Sequence, residues 1–250
     1  MSARHAFITG GGSGIGLATA RALAANGAKL TLAGRKLDKV RAAAKEFDHA
    51  HAVACDVTDE ASVNSAFAAA RDRYGVVDIL INNAGQASSA PFKHTTLAVW
   101  NDVLATNLTG AFLCTRAALP DMVDAKWGRI VNVGSVCSLK GYAYVSAYVA
   151  SKHGLLGLTR ALAHETAKQG VTVNCVCPGY VDTPIVTESV ERLTSKTKLS
   201  AEEAHASLIQ FNPQGRIIAP EEVAAAILYL CGDAAAAVNG AAIPITGGEV

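Results

Sequence analysis

The chain has 250 residues, half of them hydrophobic and 17% charged, with 22 Lys and Arg against 21 Asp and Glu for a formal net charge of +1. That length and apolar content suffice for one large globular domain over 1–250 without disulfide or metal support. The balanced charge carries no basic stripe of the kind nucleic acid attracts, and no apolar run reaches the roughly 18 residues that cross a bilayer.

The first predicted strand, 5–9, runs into Thr9-Gly10-Gly11-Gly12-Ser13-Gly14-Ile15-Gly16, and a helix pattern over 14–26 follows. A strand, a glycine turn and a helix N-terminus together let backbone approach a pyrophosphate and offer it unpaired N–H groups. The spacing is neither G-x-G-x-x-G nor a Walker A loop. A second strand, 29–33, ends at Ala33-Gly34-Arg35-Lys36. An acid at such a strand end binds a ribose 2′-hydroxyl, whereas a cation binds a 2′-phosphate. No acid stands there, and Asp38 already lies in the next helix, 37–47. Arg35, helped by Lys36, therefore favours NADP, with NAD the other choice; plain solvation of two charges is the competing account.

A strand at 51–55, a helix at 60–74 and a strand at 79–82 follow, the last ending in Asn82-Asn83-Ala84-Gly85. The next helix, 99–123, contains Asn107, an awkward place for an amide unless it bonds to something. The strand 129–134 is closed by Ser135, and the helix 146–169 carries Tyr148 and Lys152 at i and i+4, on one face. A lysine ammonium near a phenol is expected to lower the phenol from its usual value of about 10, which suits acid–base work. The strand 172–177 ends in Pro178-Gly179. After it, 184–212 breaks the rhythm as a long polar, helix-prone stretch, with a helix start at Ser200, where a substrate lid would sit. A helix at 220–231 and a strand at 242–245 complete the chain. Gly27, Gly75 and Gly170 each stand where a helix stops.

Strand–helix alternation with near-continuous apolar strands predicts a doubly wound, Rossmann-like α/β fold: a seven-stranded parallel sheet with helices on both faces. Polar and turn-forming residues then gather at successive strand ends on its carboxyl edge. The six cysteines, Cys55, Cys114, Cys137, Cys175, Cys177 and Cys231, form no Cys-x-x-Cys pair. They read as small buried hydrophobes in a reducing cytoplasm, and no metal site is expected from them or from His49 and His51. The first residues contain no long apolar stretch of the secretory type.

Taken together, the glycine turn, Asn82-Asn83-Ala84-Gly85, Ser135, Tyr148-x-x-x-Lys152 and Pro178-Gly179 resemble the short-chain dehydrogenase/reductase family over nearly all of 4–248. The resemblance implies hydride transfer between a nicotinamide dinucleotide and a secondary alcohol or ketone. It implies Tyr148 as general acid or base and Ser135 as the group that bonds the substrate oxygen. Lys152 would tune Tyr148 and hold the nicotinamide ribose, and Asn107 would anchor a water in a proton relay. Gly10, Gly12, Ser13, Gly14, Ile15, Gly16, Arg35, Lys36, Asp56, Val57, Asn83, Ala84, Gly85, Tyr148, Lys152, Pro178, Gly179, Val181 and Thr183 would surround the cofactor. Two departures touch cofactor choice: Ser13 stands where NADP-specific members often carry a cation, and Gly34 where NAD-specific members carry Asp. Within the family the chain looks most like 3-oxoacyl-thioester reductases and 3-hydroxyacyl-CoA dehydrogenases, which implies an acyl-CoA or acyl-carrier-linked substrate. Steroid, cyclic or xenobiotic ketones are the alternative, and a non-catalytic nucleotide sensor a second one. Substrate contacts are expected from Ser135, Cys137, Leu139, Tyr142, Tyr144, Tyr180 and Ile185, with Val186, Leu208 and Ile209 in the lid. Family members are mostly homotetramers.

Overall fold

Seven apolar runs pair into one parallel sheet in the computed structural model, which describes residues 4–196 and 199–250 and all their side chains except those of Ile185, Glu188, Ser189, Arg192, Leu193 and Lys196. The strands are β1 His5–Thr9, β2 Lys29–Gly34, β3 Ala50–Ala54, β4 Ile79–Asn82, β5 Gly128–Val133, β6 Val171–Pro178 and β7 Ala242–Ile245. Their order across the sheet is β3-β2-β1-β4-β5-β6-β7. The four central strands β1, β4, β5 and β6 are buried at every residue, because helices cover both faces.

The helices are α1 Gly14–Ala25, α2 Leu37–Ala44, α3 Glu60–Tyr74, α4 Leu97–Leu104, α5 Gly110–Asp124, α6 Ser146–Thr166, α7 Pro184–Lys196, α8 Ala201–Ile209 and α9 Pro220–Cys231. The period-2 alternation of the strands divides the core. Ile8, Leu30 and Ile81 pack on one face with Leu23 of α1, Val40 of α2 and Ile227 of α9. Phe7, Leu80, Ile130 and Val173 pack on the other with Phe67 of α3, Leu113 and Cys114 of α5 and Ala163 of α6. The chain winds from β1 outward to β3, then returns to β4 on β1's other side. That reversal opens a crevice at the carboxyl ends of β1 and β4, the usual ligand position in such sheets.

Two expectations are refined by the structure. The helix expected over 99–123 begins two residues earlier, where the Thr96 hydroxyl accepts from the Val99 N–H at 3.2 Å. Between α4 and α5 its turns widen into a π segment, Ala105–Thr109, and buried Asn107 lies inside it. π segments of this kind cluster at functional sites. The stretch 184–212 holds two helices, α7 and α8. The predicted start at Ser200 is a capping box, Ser200 Oγ accepting from the Glu203 N–H at 3.1 Å and Glu203 Oε2 from the Ser200 N–H at 2.8 Å.

A buried polar chain fixes α6 against the sheet. Asn82 Nδ2 donates to Asn132 Oδ1 at 2.8 Å, Asn132 Nδ2 donates to Thr159 Oγ1 at 2.9 Å, and Thr159 Oγ1 donates to the Leu155 carbonyl at 2.8 Å. Replacing Asn132 with Ala strips partners from two buried groups, so it should destabilise the fold by about 1–3 kcal/mol, read as a lower urea midpoint at unchanged slope.

Candidate active site

The glycine turn is built to keep side chains away from one spot. Gly10 and Gly14 have φ of 64° and 53°, the left-handed region that favours glycine. A Cβ on Gly16 would lie 2.5 Å from the Gly10 carbonyl oxygen and 2.6 Å from Asn83 Nδ2. Asn83 belongs to the same construction: its Nδ2 donates to the Thr9 and Gly10 carbonyls at 2.9 and 3.3 Å. The Thr9 hydroxyl accepts from the N–H groups of Asn83 and Ala84, both at 2.9 Å. These bonds stitch the carboxyl ends of β1 and β4 together at the crevice. Ser13 precedes α1 without a side-chain capping bond, so the helix's first N–H groups stay available. The Thr183 methyl packs over Gly14, and an open hollow of about 440 Å³ lined by Asp182, Thr183, Pro184 and Thr187 adjoins it.

Ser135 closes β5 and starts a short 3₁₀ turn, where its Oγ accepts from the Cys137 N–H at 3.1 Å. Accepting that bond does not use the serine's own proton, and hydrogen bonding with Ser135 pulls on both the Cys137 thiol and the Tyr148 phenol. Tyr148 and Lys152 share one face of α6, with Lys152 Nζ 5.6 Å from the Tyr148 ring centre. Lys152 is 4% exposed and donates to the Val133 carbonyl at 2.7 Å. Burial lowers its pKa to about 8, the nearby Cys175, Cys137 and Cys177 opposing.

The phenol departs from expectation. Tyr148 keeps some accessible surface, yet the protein packed around its hydroxyl raises its pKa well above the ordinary phenol value. Cys137 adds to the rise and hydrogen bonding with Ser135 opposes it. Lys152 does not reverse the shift, since the same burial works against its own charged form.

Asn107 explains its own burial. Its Oδ1 accepts from the Gln86 N–H at 2.9 Å, and its Nδ2 donates to the Gln86 carbonyl at 2.9 Å and to Ser151 Oγ at 3.0 Å. Ser151 Oγ in turn donates to the Tyr148 carbonyl at 2.8 Å. The π segment thus clamps the loop after β4 to the first turns of α6. A methyl on Gly85 would reach within 3.4 Å of Asn107 Oδ1 and 3.7 Å of Lys152 Nζ, so Gly85 keeps the space between them clear.

Other predicted residues distribute unevenly. Val57 is buried against Gly110, and Asp56 Oδ1 accepts from the N–H and hydroxyl of Thr58. Those bonds, with Arg35 nearby, hold the Asp56 carboxyl below its usual value. Arg35 and Lys36 are exposed, and Asp38 faces Arg41 at 3.7 Å. Pro178 ends β6, the Gly179 N–H donates to the Ile245 carbonyl at 3.0 Å, and buried Val181 bridges to Ile218. Cys137 and Tyr180 each push the Tyr148 phenol up, and Cys137 does the same to Tyr180, so the three lie near one another. Tyr142 and Tyr180 meet across Phe211, with ring centres 5.8 and 6.1 Å from it. Tyr144 is 64% exposed at φ 69° and is not brought to this cluster. The Ile185 side chain falls outside the described ones. Among the described residues no group of three or more His, Cys, Asp or Glu is arranged to hold a metal, and no helix is long and apolar enough to cross a membrane. Cys175 and Cys177 point to one face, Sγ to Sγ 3.8 Å, as strand alternation requires.

Three residues carry no assignment from sequence alone: Phe211 lies within the expected lid, 184–212, without being singled out there, and Lys140 and Glu249 meet only in three dimensions, 3.1 Å apart. The apolar run Leu208-Ile209 before Phe211 was a usable signal; for Glu249 there was none.

The short chain dehydrogenase family pattern matches residues 4–194, and the chain belongs to that family. It is 38% identical to D-beta-hydroxybutyrate dehydrogenase of Cupriavidus necator, covering 100% of this chain and 99% of that one. Among solved structures it resembles a variant of actinorhodin polyketide ketoreductase with NADPH (TM-score 0.95, 38% identity, 98% and 97% of the two chains). It also resembles levodione reductase (TM-score 0.94, 35% identity, 100% and 98%). The chain is an NAD(P)-dependent oxidoreductase acting on CH–OH groups.

The glycine turn fits a dinucleotide: two left-handed glycines, a Gly16 that no side chain can replace, and an uncapped helix start form an anion cradle. Gly16→Ala should therefore weaken NADPH binding at least tenfold by isothermal titration, while circular dichroism shows the fold retained.

Proposed function

We propose that the chain reduces 3-oxoacyl thioesters to 3-hydroxyacyl thioesters with NADPH, using Ser135, Tyr148 and Lys152. The observation that carries the reading is a serine hydroxyl hydrogen-bonded with a phenol kept protonated, on the face of α6 that also holds buried Lys152. When bound, the dinucleotide supplies the hydride that adds to the carbonyl carbon, or receives it in the reverse direction. Tyr148 gives its hydroxyl proton to the carbonyl oxygen, so the O–H bond of the phenol breaks as that of the alcohol forms. Ser135 donates a hydrogen bond to the same oxygen and stabilises its growing negative charge. A phenol raised above its ordinary value is protonated at neutral pH, which favours reduction there; oxidation needs the phenolate and gains as pH rises.

Lys152, fixed by the Val133 carbonyl, holds the nicotinamide ribose and returns a proton to Tyr148. Asn107 Oδ1 accepts one bond and has capacity for a second, and with Lys152 Nζ it borders the space that Gly85 keeps clear, which supports a water relay from that lysine. Gly10, Gly12, Gly14, Ile15 and Gly16 would cradle the pyrophosphate, Asp56 and Val57 would meet the adenine, and Thr183 and Val181 would meet the nicotinamide. Residues 184–212 act as the substrate lid, since α8 delivers Phe211 to Tyr142 and Tyr180.

NADP preference rests on Arg35, exposed beside Asp56, and on the missing acid at Gly34. The NADPH in the actinorhodin ketoreductase structure is consistent with it. A homotetramer is proposed from the family, with exposed Leu97 and Phe112 of α4 and α5 available for subunit contact. Six free, buried cysteines suit the reducing cytoplasm.

A second reading, a ring-bearing ketone, is favoured by the Tyr142–Phe211–Tyr180 cluster. Acetoacetyl-CoA assayed with NADPH by nicotinamide absorbance separates them: turnover supports the thioester, and turnover of cyclic ketones alone transfers the assignment. Tyr148→Phe should lower kcat at least a thousandfold with NADPH binding within about twofold of the parent; lost binding would make the tyrosine structural. Arg35→Ala should raise KM for NADPH about tenfold or more and leave KM for NADH within about twofold, whereas equal effects would remove the 2′-phosphate role.

A further inference from the structure

The Glu249 side chain is only 4% exposed, although a carboxylate is costly to bury without partners. Its partners come from the loop after β5. Lys140 Nζ stands 3.1 Å from Glu249 Oε1 and 3.4 Å from the Glu249 carbonyl, and the Tyr142 hydroxyl donates to the same Oε1. Glu249 Oε2 faces Gly179, where a Cβ would lie 3.5 Å away. Both charges act on Cys137, two residues from Ser135, with opposite sign. Tyr142, bonded to Glu249, packs edge-on against Phe211 with ring centres 5.8 Å apart, which puts the pair behind the aromatic wall of the cleft.

Lys152 on the cleft floor is held by a backbone carbonyl and sits beside Tyr148. Lys140 is the further cation that the described contacts place at this wall, and Glu249 neutralises it. We infer that Glu249 is a specificity-determining residue: by occupying Lys140 it makes the cleft select ketones whose far end is uncharged, such as esters and thioesters, against free 3-oxo acids. A substrate carboxylate entering there finds the Lys140 ammonium already paired and no free cation to receive it. The inference rests on the 3-oxoacyl reading of the same cleft.

Ethyl acetoacetate and acetoacetate test it, because they share the ketone and differ in the end charge. The parent should reduce the ester with kcat/KM at least tenfold above the free acid. Glu249→Gln keeps an acceptor for Tyr142 and frees Lys140, so it should narrow that ratio at least fivefold, through a lower KM for acetoacetate. Lys140→Met leaves the carboxylate uncompensated and should widen the ratio. Opposite movements are a signature that general damage to the cleft does not produce. A ratio unmoved by both variants, or moved the same way by both, overturns the inference alone. A parent that reduces neither compound overturns the 3-oxoacyl reading and this inference with it.

Discussion

The site depends on one buried ammonium. Lys152 is taken out of water by α6 and the sheet, and the Val133 carbonyl holds it at the end of β5. A lone charge so placed is expensive, and the cost appears as a lowered lysine pKa, about 8. The same burial raises Tyr148. Desolvation acts on both groups in the direction of neutrality, so a protonated phenol faces the cleft beside a lysine near the edge of ionisation. Any group that bonds Lys152 as a cation strengthens its hold on the proton and thereby its influence on the phenol.

Around that pair the structure spends its polar groups on alignment. The Asn82–Asn132–Thr159 chain fixes α6 to β4 and β5 from beneath. Asn107 fixes it from the side through Ser151, whose hydroxyl reaches the Tyr148 carbonyl. The widened turn at Ala105–Thr109 houses the buried amide that makes these bonds. Thr9 and Asn83 perform the corresponding task at the dinucleotide end, joining the glycine turn to β4. Both ends of the cleft thus refer to the same central strands, which are buried throughout and so the least deformable part of the fold.

The end of the cleft proposed to take the substrate follows a different logic. Its wall is assembled from segments far apart in the chain: the loop after β5, Phe211 after α8, and the segment beyond β7. Aromatic faces and a compensated ion pair line it, in contrast to the hydroxyl groups of Ser135 and Tyr148 that meet at the other side. In the proposed reading chemistry and selectivity are separable, the first lodged on rigid strand ends and the second on loops.

By itself the sequence determined the architecture and the chemistry. Apolar runs of strand length alternating with helix-period segments required a parallel sheet covered on both faces, and the Gly10–Gly16 spacing announced an anion cradle. The i, i+4 relation of Tyr148 and Lys152 is a local property of any helix, so it too was legible. What the linear pattern could not supply was environment. The expected lowering of the Tyr148 pKa assumed a solvated lysine; only the packed structure shows that burial governs both groups. The partners of Asn107, the arrival of Phe211 at Tyr142 and the meeting of Glu249 with Lys140 were likewise tertiary decisions. Helix and strand periods are set by neighbours in the chain, whereas desolvation and ion pairing depend on which distant segments come to share a volume that excludes water.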